Sequence, residues 1–129
     1  MLSENQLVGR QVELSILEPY EIARNVGEPP RVGQIERLVE SRPQGSIQWE
    51  GGLKLLFPEP VSFESKNSQI LYVFPRHHGT TIEGLLEGKA IVVQVYTPIP
   101  GHHPEDGAGR LASGTCDYVA IAEIRLAGE

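Results

Sequence analysis

Along most of the chain, apolar residues fall on every second position in short runs punctuated by Gly, Pro, Asn and Ser. This is the pattern of half-buried strands in an all-β sandwich or barrel. Residues 11–17 set Val12, Leu14 and Ile16 on one face against Gln11, Glu13 and Ser15 on the other. In residues 31–40, Val32, Ile35, Leu38 and Val39 also have helical spacing, but Gly33 and the surrounding alternation favour a strand. Residues 46–57 read as a hairpin, with Ile47 and Trp49 before a Glu50-Gly51-Gly52 turn and Leu53, Leu55 and Phe57 after it. Residues 58–60, Pro-Glu-Pro, then turn the chain into a strand over 61–65. After a polar turn at 65–68, residues 69–75 are apolar on both faces, which predicts a central strand covered on both sides.

Residues 80–98 hold two competing signals. Thr80 and Glu83 have the spacing of a capping box, but Gly84 and Gly88 leave little room for a helix. The reading taken is a strand over 80–86, a tight turn at Glu87-Gly88, and a returning strand over 89–97. A last strand over 115–127 places Tyr118, Ala120, Ala122, Ile124 and Leu126 on one face. The runs predict a single small antiparallel barrel, or a strongly bent sheet, of about eight or nine strands. Two long connections interrupt them. Residues 18–30 carry Pro19, Asn25, Gly27 and two further prolines, which suit one short helical turn. Residues 98–114 are rich in Gly and Pro without periodicity, and structureless connections of this length are usually functional or disordered.

Composition adds boundaries to this picture. At 129 residues, 40% of them hydrophobic, the chain suits one domain over 1–129 with a core that needs no staples. The net charge of −6, with basic residues scattered singly, disfavours non-specific nucleic-acid binding. Cys116 is the one cysteine, which excludes an intramolecular disulfide and fits a reducing compartment. There is no run of apolar residues long enough for a membrane helix and no signal-peptide pattern at the start, so the expected location is the cytoplasm, away from membranes.

The chemistry-bearing residues gather in the connections. All four histidines occur as two adjacent pairs, His77-His78 and His102-His103. With a strand over 80–86, both pairs would follow the same end of the barrel, together with Glu105, Asp106, Cys116 and Asp117. One His of each pair with Glu105, Asp106 or Cys116 would make a ligand set for a divalent transition metal such as zinc. No HExxH, paired CxxC or other standard metal spacing is present, and no cofactor is predicted. Solvated turns favour the same residue types, and this plainer reading outweighs the metal one. Cys116 with a histidine could make a nucleophilic pair, but Asp117 beside it opposes a thiolate and a lone strand cysteine is usually a small core residue. His78-Gly79-Thr80 has the HxT form of enzymes that split cyclic phosphates, without the second copy that they need. No phosphate-binding glycine loop occurs.

Most aromatics fall on strand faces and read as core. Tyr20, in the 18–30 connection, and Arg76 are the candidates for contacting a protein partner or a second copy of the chain. The sequence thus favours a non-catalytic binding or accessory module acting through its loops at 18–30 and 98–114. The alternative is a metal-dependent enzyme or metal-binding protein with a His-rich end.

Overall fold

A computed structural model describes residues 7–18, 31–39, 51–63, 66–76, 82–105, 111 and 114–127. Six strands, β1 (Gln11–Glu18), β2 (Arg31–Val39), β3 (Gly52–Phe63), β4 (Lys66–Pro75), β5 (Ile91–Pro98) and β6 (Cys116–Leu126), follow one another around a closed barrel. Every neighbouring pair is antiparallel, and β6 closes the circle against β1. Closure leaves the sheet without the unpaired edge that an open sheet must protect. Among the described residues there is no α-helix, and no helix is long and apolar enough to cross a membrane.

Alternation fills the interior as the sequence implies. Val12 and Leu14 from β1, Ile35 from β2, Leu53 and Leu55 from β3, Leu71 and Val73 from β4, Val93 and Val95 from β5, and Ala120, Ala122 and Ile124 from β6 form one buried cluster. Residues 71–75 of β4 are buried on both faces, as a doubly covered strand requires.

Among the described residues the strand count is six rather than eight or nine, and the reasons are local. The two short strands expected on either side of Pro58-Glu59-Pro60 are one long strand, β3. Its pairing with β4 shifts register between Leu56 and Val61, and the two prolines sit exposed within that irregularity, where missing N–H groups cost the ladder nothing. The strand expected at 46–49, with Ile47 and Trp49, lies outside the described residues; so does the helical turn expected in 18–30. The neighbour of β3 is β2, with Val39 opposite Gly52. Gly52 is needed there, because a Cβ would stand 2.2 Å from the Val73 carbonyl oxygen and 2.6 Å from the Phe74 ring.

The strand expected over 80–86 is instead a 3-10 helix, Ile82–Glu87. Ile82 and Leu85 are three residues apart, the repeat of a 3-10 turn, and both are buried in the barrel's cluster, while the helix packs on β5 and β6. Gly88, at φ +83°, ends it: Gly88 N–H donates to Leu85 O and Lys89 N–H to Gly84 O, both at 3.1 Å, the paired bonds of a Schellman cap. The glycine taken as a helix breaker is the helix terminator. On the N-terminal side, a turn over 7–10 closed by Arg10 N–H to Leu7 O at 3.0 Å, with Gly9 at φ +91°, buries Leu7 in the same cluster.

Candidate functional site

Without a strand at 80–86, β4 and β5 are direct antiparallel neighbours, with Tyr72 opposite Tyr96 and Pro75 opposite Val93. The end of β4 at Pro75 and the end of β5 at Pro98 therefore point to opposite ends of the barrel. This removes the premise that carried both His pairs to one end. His77, His78, Asp106 and Tyr20 lie outside the described residues. Arg76 is exposed just beyond β4, with its N–H donating to Val92 O at 2.9 Å.

The described part of the connection from β5 to β6 leaves the end of β5 and turns back over the outside of the barrel as a strap. Its first bend is dictated by Pro100-Gly101. His102 N–H donates to Ile99 O at 3.1 Å with Gly101 at φ +85°, so Pro100 and Gly101 occupy the central positions of a type II turn. Ile99 N–H donates to Thr115 O at 2.9 Å and fastens the two ends of the strap together. His102 and His103 are exposed at this bend, and further on Glu105 bridges to Leu111 within the strap.

Beneath the strap lies a second apolar cluster, on the outer wall. Val39, Tyr72, Phe74, Tyr96, Leu111 and Cys116 are all buried in it. Tyr96 meets Phe74 edge-on, with ring centroids 5.9 Å apart, and meets Tyr118 at 5.8 Å on its other side. Cys116 is 1% exposed there, the small apolar residue that a lone strand cysteine usually is. Tyr118 was expected on the core face of β6, but it is 47% exposed on the outer wall. A register shift between Val95 and Tyr96 puts Ala120 opposite Val95 and Tyr118 opposite Tyr96, and one extra residue reverses every side chain beyond it.

Arg37, Lys54, Tyr72, Tyr96 and Tyr118 stand directly opposite one another across β2 to β6, a single outward row that passes from cationic to aromatic. Glu105 comes down from the strap onto the first three. Tyr72 Oη donates to Glu105 Oε2 at 2.6 Å, Lys54 Nζ lies 3.1 Å from the same oxygen, and Arg37 Nη1 lies 3.0 Å from Oε1. Lys54 also reaches Glu36 at 3.0 Å. The register shift between Ile35 and Arg37 makes this possible, since the extra residue lets the adjacent Glu36 and Arg37 both serve the outer side.

Electrostatics holds Glu105, Lys54 and Tyr72 in their resting charge states. Burial penalises the Glu105 carboxylate, but the hydrogen bonds from Tyr72 and Lys54 and the charges of Lys54 and Arg37 outweigh that penalty and hold its pKa below the ordinary 4.5. Burial likewise opposes the Lys54 charge, and Glu36 and Glu105 overcome it, raising the pKa above 10.5. For Tyr72, burial and the hydrogen bond to the Glu105 carboxylate act together to push the phenol well above its ordinary 10.0. Groups that shuttle protons need pKa values near the working pH, and all three move away from neutrality.

Among the described residues, Glu105 is a sequence candidate that the structure places in a polar constellation. Its partners Arg37, Lys54 and Tyr72 were missed. The available signal was Tyr72 itself, a phenol inside an otherwise apolar, doubly covered strand, whose hydroxyl must find a partner when buried. Among the described residues, no three His, Cys, Asp or Glu side chains converge on a point that could hold a metal ion. Compared with family models, with curated proteins and with solved structures, the chain matches none of them.

Proposed function

We propose that the protein is a non-catalytic binding or accessory module that presents its strap, residues 98–114, to a protein partner. The observation that carries this reading is the state of the groups around Glu105. A carboxylate, an ammonium and a phenol lie within hydrogen-bonding reach, yet each is stabilised in the form that neither gives nor takes a proton at neutral pH. Their work is to clamp the strap to the barrel. What the clamp presents outward is a bend fixed by Pro100-Gly101, with His102 and His103 exposed, and the half-exposed ring of Tyr118 close to the strap's return into β6. A rigid backbone bend beside an exposed tyrosine suits protein recognition, in which aromatic anchors contribute much of the energy at little entropic cost.

The test sets this reading against a metal site at the strap. Changing His102 and His103 together to Asn keeps turn propensity and polarity. A binding module should melt at the same temperature with and without the double substitution, and with and without a chelator, and should carry no stoichiometric metal after dialysis. A chelator-sensitive melting point that the double substitution abolishes would overturn the reading, since a bound ion stabilises in proportion to its occupancy.

A further inference from the structure

We propose that Arg37, Lys54 and Tyr72 form a preformed receptor for a small aliphatic carboxylate on the outer wall of the barrel, of which Glu105 is the resident and exchangeable ligand. The asymmetry of the cluster argues for this. All three donors belong to barrel strands, and the ladder pairs them directly, Arg37 with Lys54 and Lys54 with Tyr72. Only the acceptor comes from the strap. The positions of the donors are thus set by backbone pairing that does not involve Glu105.

Each donor also has support of its own. Lys54 is held by Glu36 at 3.0 Å. The Tyr72 ring is 2% exposed within the outer apolar cluster, so its hydroxyl is aimed by packing. Arg37 is directed outward by the register shift beside it, and its side chain is 43% exposed, which keeps the site reachable from solvent. The resident ligand does not use the site fully. Glu105 Oε2 takes the Tyr72 hydrogen bond and the Lys54 contact, whereas Oε1 is buried and faces Arg37 at 3.0 Å as a charge contact without an aligned hydrogen bond. A carboxylate freed from the strap can rotate to satisfy both oxygens, and charge-assisted bonds of this kind are about twice as strong as neutral ones. The inference rests on the geometry of the seam and stands whether or not the loops bind a partner.

The experiment is chemical rescue. Glu105→Ala removes the atoms beyond Cβ, which are those of acetate. Melting temperatures of Glu105→Ala are measured at neutral pH in rising sodium acetate and in sodium chloride of equal ionic strength, beside the unsubstituted chain and the double variant Glu105→Ala/Lys54→Met. The expected result is a saturable rise with acetate in Glu105→Ala, exceeding that in chloride and absent from the other two proteins. No acetate-specific rise, or an equal rise in the double variant, would overturn the proposal. Should Glu105→Ala not fold, the structure of Glu105→Gln, which preserves side-chain size, tests preformation directly. Lys54 Nζ and Tyr72 Oη should stay within about 1 Å of their places on the barrel, as in a pre-organised site, and their dispersal would overturn it.

Discussion

The two apolar clusters of this barrel are assembled on different principles. The interior draws an inward residue from every second position of six strands, and Leu7, Ile82 and Leu85 add to it from outside the strands. No one side chain defines it. The outer cluster is smaller, rich in aromatic rings, and buried in part by a segment with no periodicity of its own, and a polar contact that holds that segment down centres on one carboxylate. The interior's information is spread over many positions, so a single loss costs a cavity and leaves the barrel as it was. The seam's information is concentrated, so losing Glu105 leaves Tyr72 and Arg37 without the group that satisfied them. A distributed core confers stability, and a concentrated latch confers the possibility of release.

Truncation separates the two most strongly. Leu55 is fully buried in the interior, and Leu55→Ala should cost about 2–5 kcal/mol in denaturant unfolding while the strap's amides keep their hydrogen-exchange protection. Glu105→Ala should cost about 3 kcal/mol, the scale for removing one partner of a largely buried ion pair, with part of the Lys54 charge still answered by Glu36. Its signature differs in kind: the Ile99 and Tyr72 amide regions should lose protection together. If both substitutions lower protection uniformly, the seam is not a separate unit.

Acid sharpens the contrast. Because the pKa of Glu105 is lowered in the folded protein, the folded state holds fewer protons than the unfolded one through that range, and stability there rises with pH. The carboxylate's contribution is complete above its ordinary 4.5 and is lost as pH falls from there through the depressed folded value. The stability difference between the unsubstituted chain and Glu105→Gln should therefore be constant near neutrality and shrink below about pH 4.5. On the alkaline side, Tyr72 and Lys54 have raised values, so their contributions are complete below 10.0 and 10.5 and fade as pH climbs past them. A difference that does not change with acid would show that the seam is held by packing alone.

The smallest effect belongs to the exposed end of the outer row. Tyr118 is 47% exposed, and Tyr118→Ser should change stability by less than about 1 kcal/mol, mostly through the lost contact with Tyr96. Thermal melts would check this, and a larger loss would mean that the ring belongs to the outer cluster rather than to its rim.

Much of the barrel was legible beforehand. The strands at 11–17, 31–40, 69–75 and 115–127 were readable because period-two alternation is written locally wherever one face is buried and the other wet. The errors fall where the decisive partner is distant. Gly84 and Gly88 argued against a helix on propensity, and the burial of Ile82 and Leu85 against the barrel overrode them. Tyr118 followed the alternation and still pointed outward, because a register shift in the ladder does not appear in the sequence of either strand. The candidate site was half legible. Glu105 stood out as a carboxylate in a long loop, whereas its donors lie 33 to 68 positions away on three strands whose neighbourhood only closure of the barrel creates.

The sequence by itself determined that this chain is all-β and which faces of most strands turn inward, since these depend on side-chain polarity within a few residues. The tertiary structure decided that six strands close the barrel, that β4 and β5 are neighbours, and that the strap returns onto Arg37, Lys54 and Tyr72. Those outcomes depend on which segments bury one another's surface and on which separated charges meet. That is a competition among long-range pairings, and no local window of the chain contains it.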